Sequence, residues 1–162
     1  MRWTRHLLLD HLALTRAFPR KTLDAIGRAV AEQEQRHRGE LRVVIEGGLP
    51  LPALIAGRSA RERAIEQFTR LRVWDTEDNA GVLIYLLLAD RRVEIVADRG
   101  IHARVRESEW QDICRGMEAH FREGRFESGA LFGIGAVSDA LERHFPGSGK
   151  GRQELDDRPR MI

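Results

Sequence analysis

The chain has 162 residues, enough for one domain with a real core and short additional segments. Its 42% hydrophobic and 32% charged residues give a net charge of only +2, which argues against a strongly basic nucleic-acid binder. No apolar run approaches the roughly 18 residues needed to cross a bilayer, and the single cysteine, Cys114, excludes an intrachain disulfide and suits a reducing compartment.

Lysine occurs only at Lys21 and Lys150, so nearly all the basic charge is arginine, a bias read as compositional. At the N-terminus, Leu7-Leu8-Leu9 is interrupted by Asp10, His11 and Arg16, and no small-residue cleavage site follows. The mature chain is therefore expected to start at Met1, in the cytoplasm. Trp3, Leu7, Leu14 and Phe18 recur at helical spacing up to Pro19, which predicts an amphipathic helix over residues 1–19. Flanking arginines allow its apolar face to dock on a membrane or partner, and packing on its own domain is the simpler alternative.

A second helix is expected from Thr22 to Arg36, with Leu23, Ile26 and Val30 on one face and Gly39 as its stop. Leu41 to Ile45 reads as a short strand, and Gly47, Gly48, Pro50 and Pro52 predict an irregular connection. Ser59 and Glu62 form a capping-box signature for a helix burying Ala64, Ile65, Phe68 and Leu71. Val82 to Leu88 is continuously apolar, as in a central strand covered on both faces. Val93, Ile95 and Ala97 follow after a connection too short for a parallel return, so the pair is an antiparallel hairpin. Ser108 and Gln111 suggest another capped helix carrying Trp110, Ile113, Cys114, Met117 and Phe121 to Gly124, with Cys114 a packed thiol. The last helix, Glu127 to His144, has Gly129 and Gly133 to let it approach the sheet. Residues 20–146 thus form the domain, and 147–162 read as a disordered tail.

The order of elements predicts an α/β helix–sheet–helix sandwich. Its small mixed sheet combines a parallel pair with an antiparallel hairpin.

Chemical signatures are few. Gly147-Ser148-Gly149-Lys150-Gly151 lacks the upstream glycine and the Ser/Thr of a P-loop, and Ser138 stands where a dinucleotide motif needs glycine. One cysteine and no His-Glu-x-x-His pair exclude the usual zinc motifs. The EF-hand-like spacing of Asp75, Glu77 and Asn79 fails at the turn glycine and at the final ligand position, which is Leu86. Topology leaves one candidate. A turn near Asp90-Arg91 sets Asp98 opposite about Leu83, so Asp75, Asp78 and Asn79 gather at one sheet end with Asp98, Arg99 and His102. Crowded carboxylates need a neutralising cation or arginine, and oxygen ligands of this kind suit Ca²⁺ or Mg²⁺. The metal candidates are Asp75, Asp78, Asn79 and Asp98, and the ligand contacts Arg99 and His102. A solvated acidic loop with an Asx turn is the alternative.

Four segments resemble the TPM domain family, also called the TPM phosphatase domain, beginning with the helix at Leu23 to Arg36 that feeds Leu41-Arg42-Val43-Val44-Ile45. Asp78-Asn79-Ala80-Gly81-Val82-Leu83-Ile84 is similar to its Asp-Asn-Gly-Val-Leu segment with one inserted alanine. Ala89-Asp90-Arg91-Arg92-Val93-Glu94-Ile95 is similar to its Asp-Arg-x-Val-x-Ile hairpin. Phe121-Arg122-Glu123-Gly124-Arg125-Phe126-Glu127-Ser128-Gly129 resembles Phe-Arg-x-Gly-Asp-Tyr-x-x-Gly, with Arg125 at the usual acidic position. The resemblance covers about Leu23 to Phe145. It implies the same sandwich, a cation held at the acidic end of the sheet through Asp78, and a phosphatase activity that is not general to the family. Two functions are therefore expected. One is a non-enzymatic accessory module with a protein partner, at a membrane surface and peripheral to the inner membrane. The other is a metal-dependent phosphatase-like hydrolase.

Overall fold

The computed structural model describes residues 2–8, 11–147 and 155–162. In chain order the elements are α1 (Arg2–Leu8), α2 (His11–Ala17), α3 (Arg20–Gln33), β1 (Glu40–Glu46), α4 (Leu51–Ile55), α5 (Ala60–Arg70) and β2 (Gly81–Leu87). They continue with β3 (Arg92–Ala97), α6 (Arg99–His102), α7 (Glu107–Arg122), α8 (Phe126–His144) and β4 (Arg160–Met161). The sheet runs β3-β2-β1-β4, with β2 parallel to β1 and antiparallel to β3.

Strand alternation divides the interior into two cores on opposite sheet faces. Val82, Ile84 and Leu86 pack with residues of α2, α3, α7 and α8, whereas Leu83, Tyr85 and Leu87 pack with α4 and α5. The helix–sheet–helix sandwich is therefore as expected. α5 opens with the predicted capping box: Ser59 Oγ accepts from Glu62 N–H while the Glu62 carboxylate accepts from Ser59 N–H. At the β3 edge, Val93 N–H donates to buried Glu118 from α7 (3.1 Å) and Arg61 from α5 donates to Ile95 O (2.5 Å). Both helices thus cover backbone groups that would otherwise template a further strand.

Several expectations are corrected. The N-terminal stripe is not one face: α1 and α2 are separate helices, Leu14 and Phe18 are buried, and Trp3 and Leu7 are exposed. Buried His6 turns inward on α1 instead, which rotates Trp3 and Leu7 outward. The proline-rich connection contains α4, because Pro50 and Pro52 occupy the N-cap and first turn, where a missing N–H costs nothing. On α5, Arg63 and Gln67 are buried and Ile65 is exposed, since the face is set by a buried carboxylate on β1. α7 begins at Glu107 with no side-chain cap, so Ser108 lies inside the helix. Gly129 and Gly133 face α7 rather than the sheet: a Cβ on Gly133 would lie 2.2 Å from Met117 Sδ.

The reading of 147–162 as a disordered tail is corrected for its last eight residues; 148–154 lie outside the described residues. β4 pairs in parallel with β1, Val44 opposite Arg160 and Ile45 opposite Met161. Arg42 holds the segment by donating to the carbonyls of Asp156 and Arg158. Polar composition had masked this return, because two strand residues and a run of carbonyl acceptors leave no periodic apolar signal.

The same segment brings Asp157 beside Glu34, the C-cap of α3, and Glu40 on β1. Burial pushes the Glu34 carboxyl up to about 9, against the Leu41 N–H that it accepts at 2.7 Å, and the Glu40 and Asp157 charges push it further the same way. Folded Glu34 therefore holds a proton that the unfolded chain releases near 4.5. Its contribution to stability is present at low pH and is lost as pH rises from that value through about 9. Urea denaturation at pH 5.5 and 8.5 should show the protein less stable at the higher pH, and Glu34→Gln should reduce that difference.

Candidate functional site

Asp98 caps α6 by accepting Arg99 N–H at 2.7 Å, and its own N–H donates to Gly81 O at 2.8 Å. The third strand therefore exits beside the entrance of the second, as the hairpin required. The register differs by two from the expected one: Leu83 faces Val96, and Asp98 lies at Gly81. The four-residue turn Leu88–Arg91 is centred one position earlier, with Arg91 left-handed at φ 50° and its N–H on Leu88 O.

Close backbone approach seals this end of the sheet. A Cβ on Gly81 would lie 1.9 Å from Val73 O, and one on Gly100 2.6 Å from Asn79 O. Only glycine admits such packing. Gly100 N–H donates to Asn79 O, which ties α6 to the segment before β2.

The polar side chains here are met chiefly by arginines. Asn79 Oδ1 accepts from Arg99 Nε and Nη2 at 3.3 and 3.2 Å. Asp78 lies 4.0 Å from Arg38, and Asp75 pairs with Arg72 at 2.7 Å. Asp78, Asn79, Asp98 and Arg99 are thus brought together, Asp75 sits in its own exposed pair, and His102 is exposed on α6. One atom stands apart: Asp98 Oδ2 is buried with no hydrogen-bond partner. That free oxygen fits a cation ligand, whereas its neighbours are turned to guanidinium groups. Among the described residues no three His, Cys, Asp or Glu side chains converge to hold a metal ion.

Inside the sandwich lies a polar cluster that sequence reasoning missed. Glu46, 2% exposed at the end of β1, accepts from Arg63 Nε at 2.9 Å and Nη2 at 2.7 Å and from Tyr85 Oη at 2.5 Å. Burial first, and then the adjacent Glu46 charge, push the Tyr85 phenol well above its ordinary value, so it stays a donor. Arg63 at the buried phase between Ala60, Ala64 and Gln67 was the available signal. His6 is a second omission. Its Nδ1 accepts Leu49 N–H at 2.9 Å, which makes Nε2 the donor to Asp90 at 3.0 Å and draws Asp90 beyond turn-shaping. No local pattern links residues 84 apart. Cys114 remains a packed thiol, with burial, followed by the Glu94 and Glu118 charges, pushing it up to about 12.

These features define an α/β sandwich whose mixed sheet carries a glycine-sealed acidic end, laced by arginine. The TPM domain model matches residues 14–140, and the chain belongs to the TPM domain family. Among solved structures it is similar to the BA42 protein of the psychrophilic bacterium Bizionia argentinensis, at 27% identity and a TM-score of 0.76, covering 88% of this chain and 93% of that one. It also shares the fold of the N-terminal domain of a P. gingivalis protein, at 21% identity and a TM-score of 0.62, covering 78% of this chain and 77% of that one. No curated protein matches the sequence.

Removing one partner of the Glu46 cluster strands a buried charge, which typically costs about 3–5 kcal/mol. Arg63→Met should lower the unfolding free energy by about that amount in urea titrations. The double variant Glu46→Leu, Arg63→Met should recover much of the loss.

Proposed function

We propose that this TPM domain is a non-enzymatic accessory module that docks on a protein partner at the cytoplasmic surface of the inner membrane. The observation that carries this reading is the exposed apolar surface of α1 and α4. Trp3 and Leu7 are 47% and 60% exposed, and Leu51 and Ile55 are 50% and 68% exposed. Each pair is spaced by four residues and lies on one helix face. The two helices are linked, because α1 rests through His6 on Leu49, just before α4. Burying the remaining exposed half or so of each such side chain would contribute about 1–2 kcal/mol, and apolar exposure of this kind marks interaction surfaces. Exposed Arg5 and Arg58 beside these helices suit an acidic protein at an anionic membrane surface. None of the described helices is long and apolar enough to cross a membrane itself.

Flotation with inner-membrane vesicles tests this reading. The wild type should float, and should stop floating once protease has stripped the vesicles of protein. Replacing Trp3, Leu7, Leu51 and Ile55 together by serine should leave it in solution, with the circular dichroism of the wild type. Equal flotation of the two proteins would refute docking through α1 and α4.

Metal-dependent hydrolysis of phosphate esters is favoured by one observation, the unpartnered Asp98 Oδ2. A bound Ca²⁺ or Mg²⁺ would supply Lewis-acid polarisation of a phosphoryl oxygen. Asp98 would hold it with Asp78 and Asn79, given release from Arg38 and Arg99, and with Asp75. Arg99 and His102 would then face the phosphate. Calorimetry with each cation should give binding to the wild type that is lost in the Asp78→Asn, Asp98→Asn variant. Cation-dependent turnover of a generic phosphate ester, also lost in that variant, would replace the accessory reading by this one.

A further inference from the structure

A cleft of about 660 Å³ opens where the hairpin turn, α2, α3 and α8 meet, at the opposite end of the hairpin from Asp98. Three arginines line it, Arg16, Arg91 and Arg125, with one acidic residue, Glu127. Arg16 and Arg91 form no ion pair among the described residues, while Arg125 pairs with exposed Glu123 at 2.5 Å. Glu127, the acidic residue of the lining, is held by a hydrogen bond from Thr22 Oγ1 at 2.6 Å.

The backbone adds to this positive field. Pro19 and Thr22 bring the start of α3 to the cleft, and Arg125 to Ser128 bring the start of α8. Neither helix has a side-chain cap, for the N-cap positions are held by Pro19 and Arg125. On α8 the first turn closes with Gly129 N–H on Arg125 O at 3.0 Å. The N–H groups of Phe126, Glu127 and Ser128 precede that bond and have no acceptor within the helix. Two helix dipoles thus place positive ends beside three arginines. Leu88 and Phe126 supply an apolar wall.

We propose that this cleft binds a phosphate monoester, its dianion held by Arg16, Arg91 and Arg125 and its organic group against Leu88 and Phe126. The planar fork of arginine matches phosphate oxygens in pairs. Counting Glu127 and the Glu123 that pairs with Arg125, the three arginines leave a net positive charge of one, held on Arg16 and Arg91, toward the dianion. The phosphate is carried either by a soluble ester or by a lipid headgroup such as phosphatidic acid.

Amide NMR titrations of the full chain at constant ionic strength test the proposal, with inorganic phosphate, phenyl phosphate and phosphatidic acid vesicles as probes. Phenyl phosphate should shift the amides of Arg91 and Phe126 to Ser128 and bind more tightly than inorganic phosphate. The Arg91→Ala, Arg125→Ala variant should bind it at least about tenfold more weakly, equivalent to about 1.4 kcal/mol. Arg91→Lys, Arg125→Lys keeps the charge and should show a smaller loss, which also covers failure of the alanine variant to fold. Vesicle association lost in the same variants, without a response to phenyl phosphate, would assign the phosphate to lipid. No response to any probe, or unchanged binding in both variants, would overturn the proposal.

Discussion

β2 has no face turned to water. Val82, Ile84 and Leu86 feed one core, Leu83, Tyr85 and Leu87 the other, and both backbone edges are taken by β1 and β3. A strand in that position must be covered by helices on two sides, and all its backbone polar groups must be paired within the sheet. The remaining layers follow from this requirement. α5 covers one face on the way from β1 to β2, while α3, α7 and α8 cover the other. Tyr85 then needs a partner for its buried hydroxyl, and Glu46 needs a cation, so Arg63 completes an arrangement that orients α5 on the sheet.

Arginine performs much of the joining in this chain. Arg63 neutralises a buried carboxylate, Arg61 caps an edge-strand carbonyl, and Arg42 gathers the backbone carbonyls of the C-terminal segment. Each task uses a planar group with several fixed donors, which a lysine ammonium cannot reproduce. A compositional origin for the arginine bias and a structural use of individual arginines are compatible. At the acidic end, Arg38, Arg72 and Arg99 lie against Asp78, Asp75 and Asn79. The charge balance there differs from that of a bare carboxylate nest, and Asp98 keeps a buried oxygen without a hydrogen-bond partner.

The hairpin separates two different chemical environments. One end has Asp98 and the glycine-tight packing of α6; the other has Arg91 and the starts of α3 and α8. A third surface, on α1 and α4, is apolar and is held in place by His6 bridging Leu49 and Asp90. Asp90 thereby serves the attachment of the N-terminal helix as well as the turn. Anchoring by a buried histidine makes the exposure of Trp3 and Leu7 a consequence of tertiary geometry, because inward His6 leaves that stripe outward.

Periodicity and short connections by themselves determined the sandwich, the central strand, the antiparallel hairpin and the meeting of Asp78 and Asp98 at one end. Those features depend on local spacing and on how far a four-residue link can reach, which the order of residues states directly. Tertiary structure alone decided the register of the hairpin, the split of α1 from α2, the return of β4 and the partners of each carboxylate. These depend on contacts between residues distant in the chain, such as His6 with Asp90 or Arg42 with Asp156, for which no local pattern exists. The acidic end was legible as a gathering of residue types, but its arginine neutralisation was not, because Arg38 comes from a separate segment and Arg99 is oriented by the turn of α6.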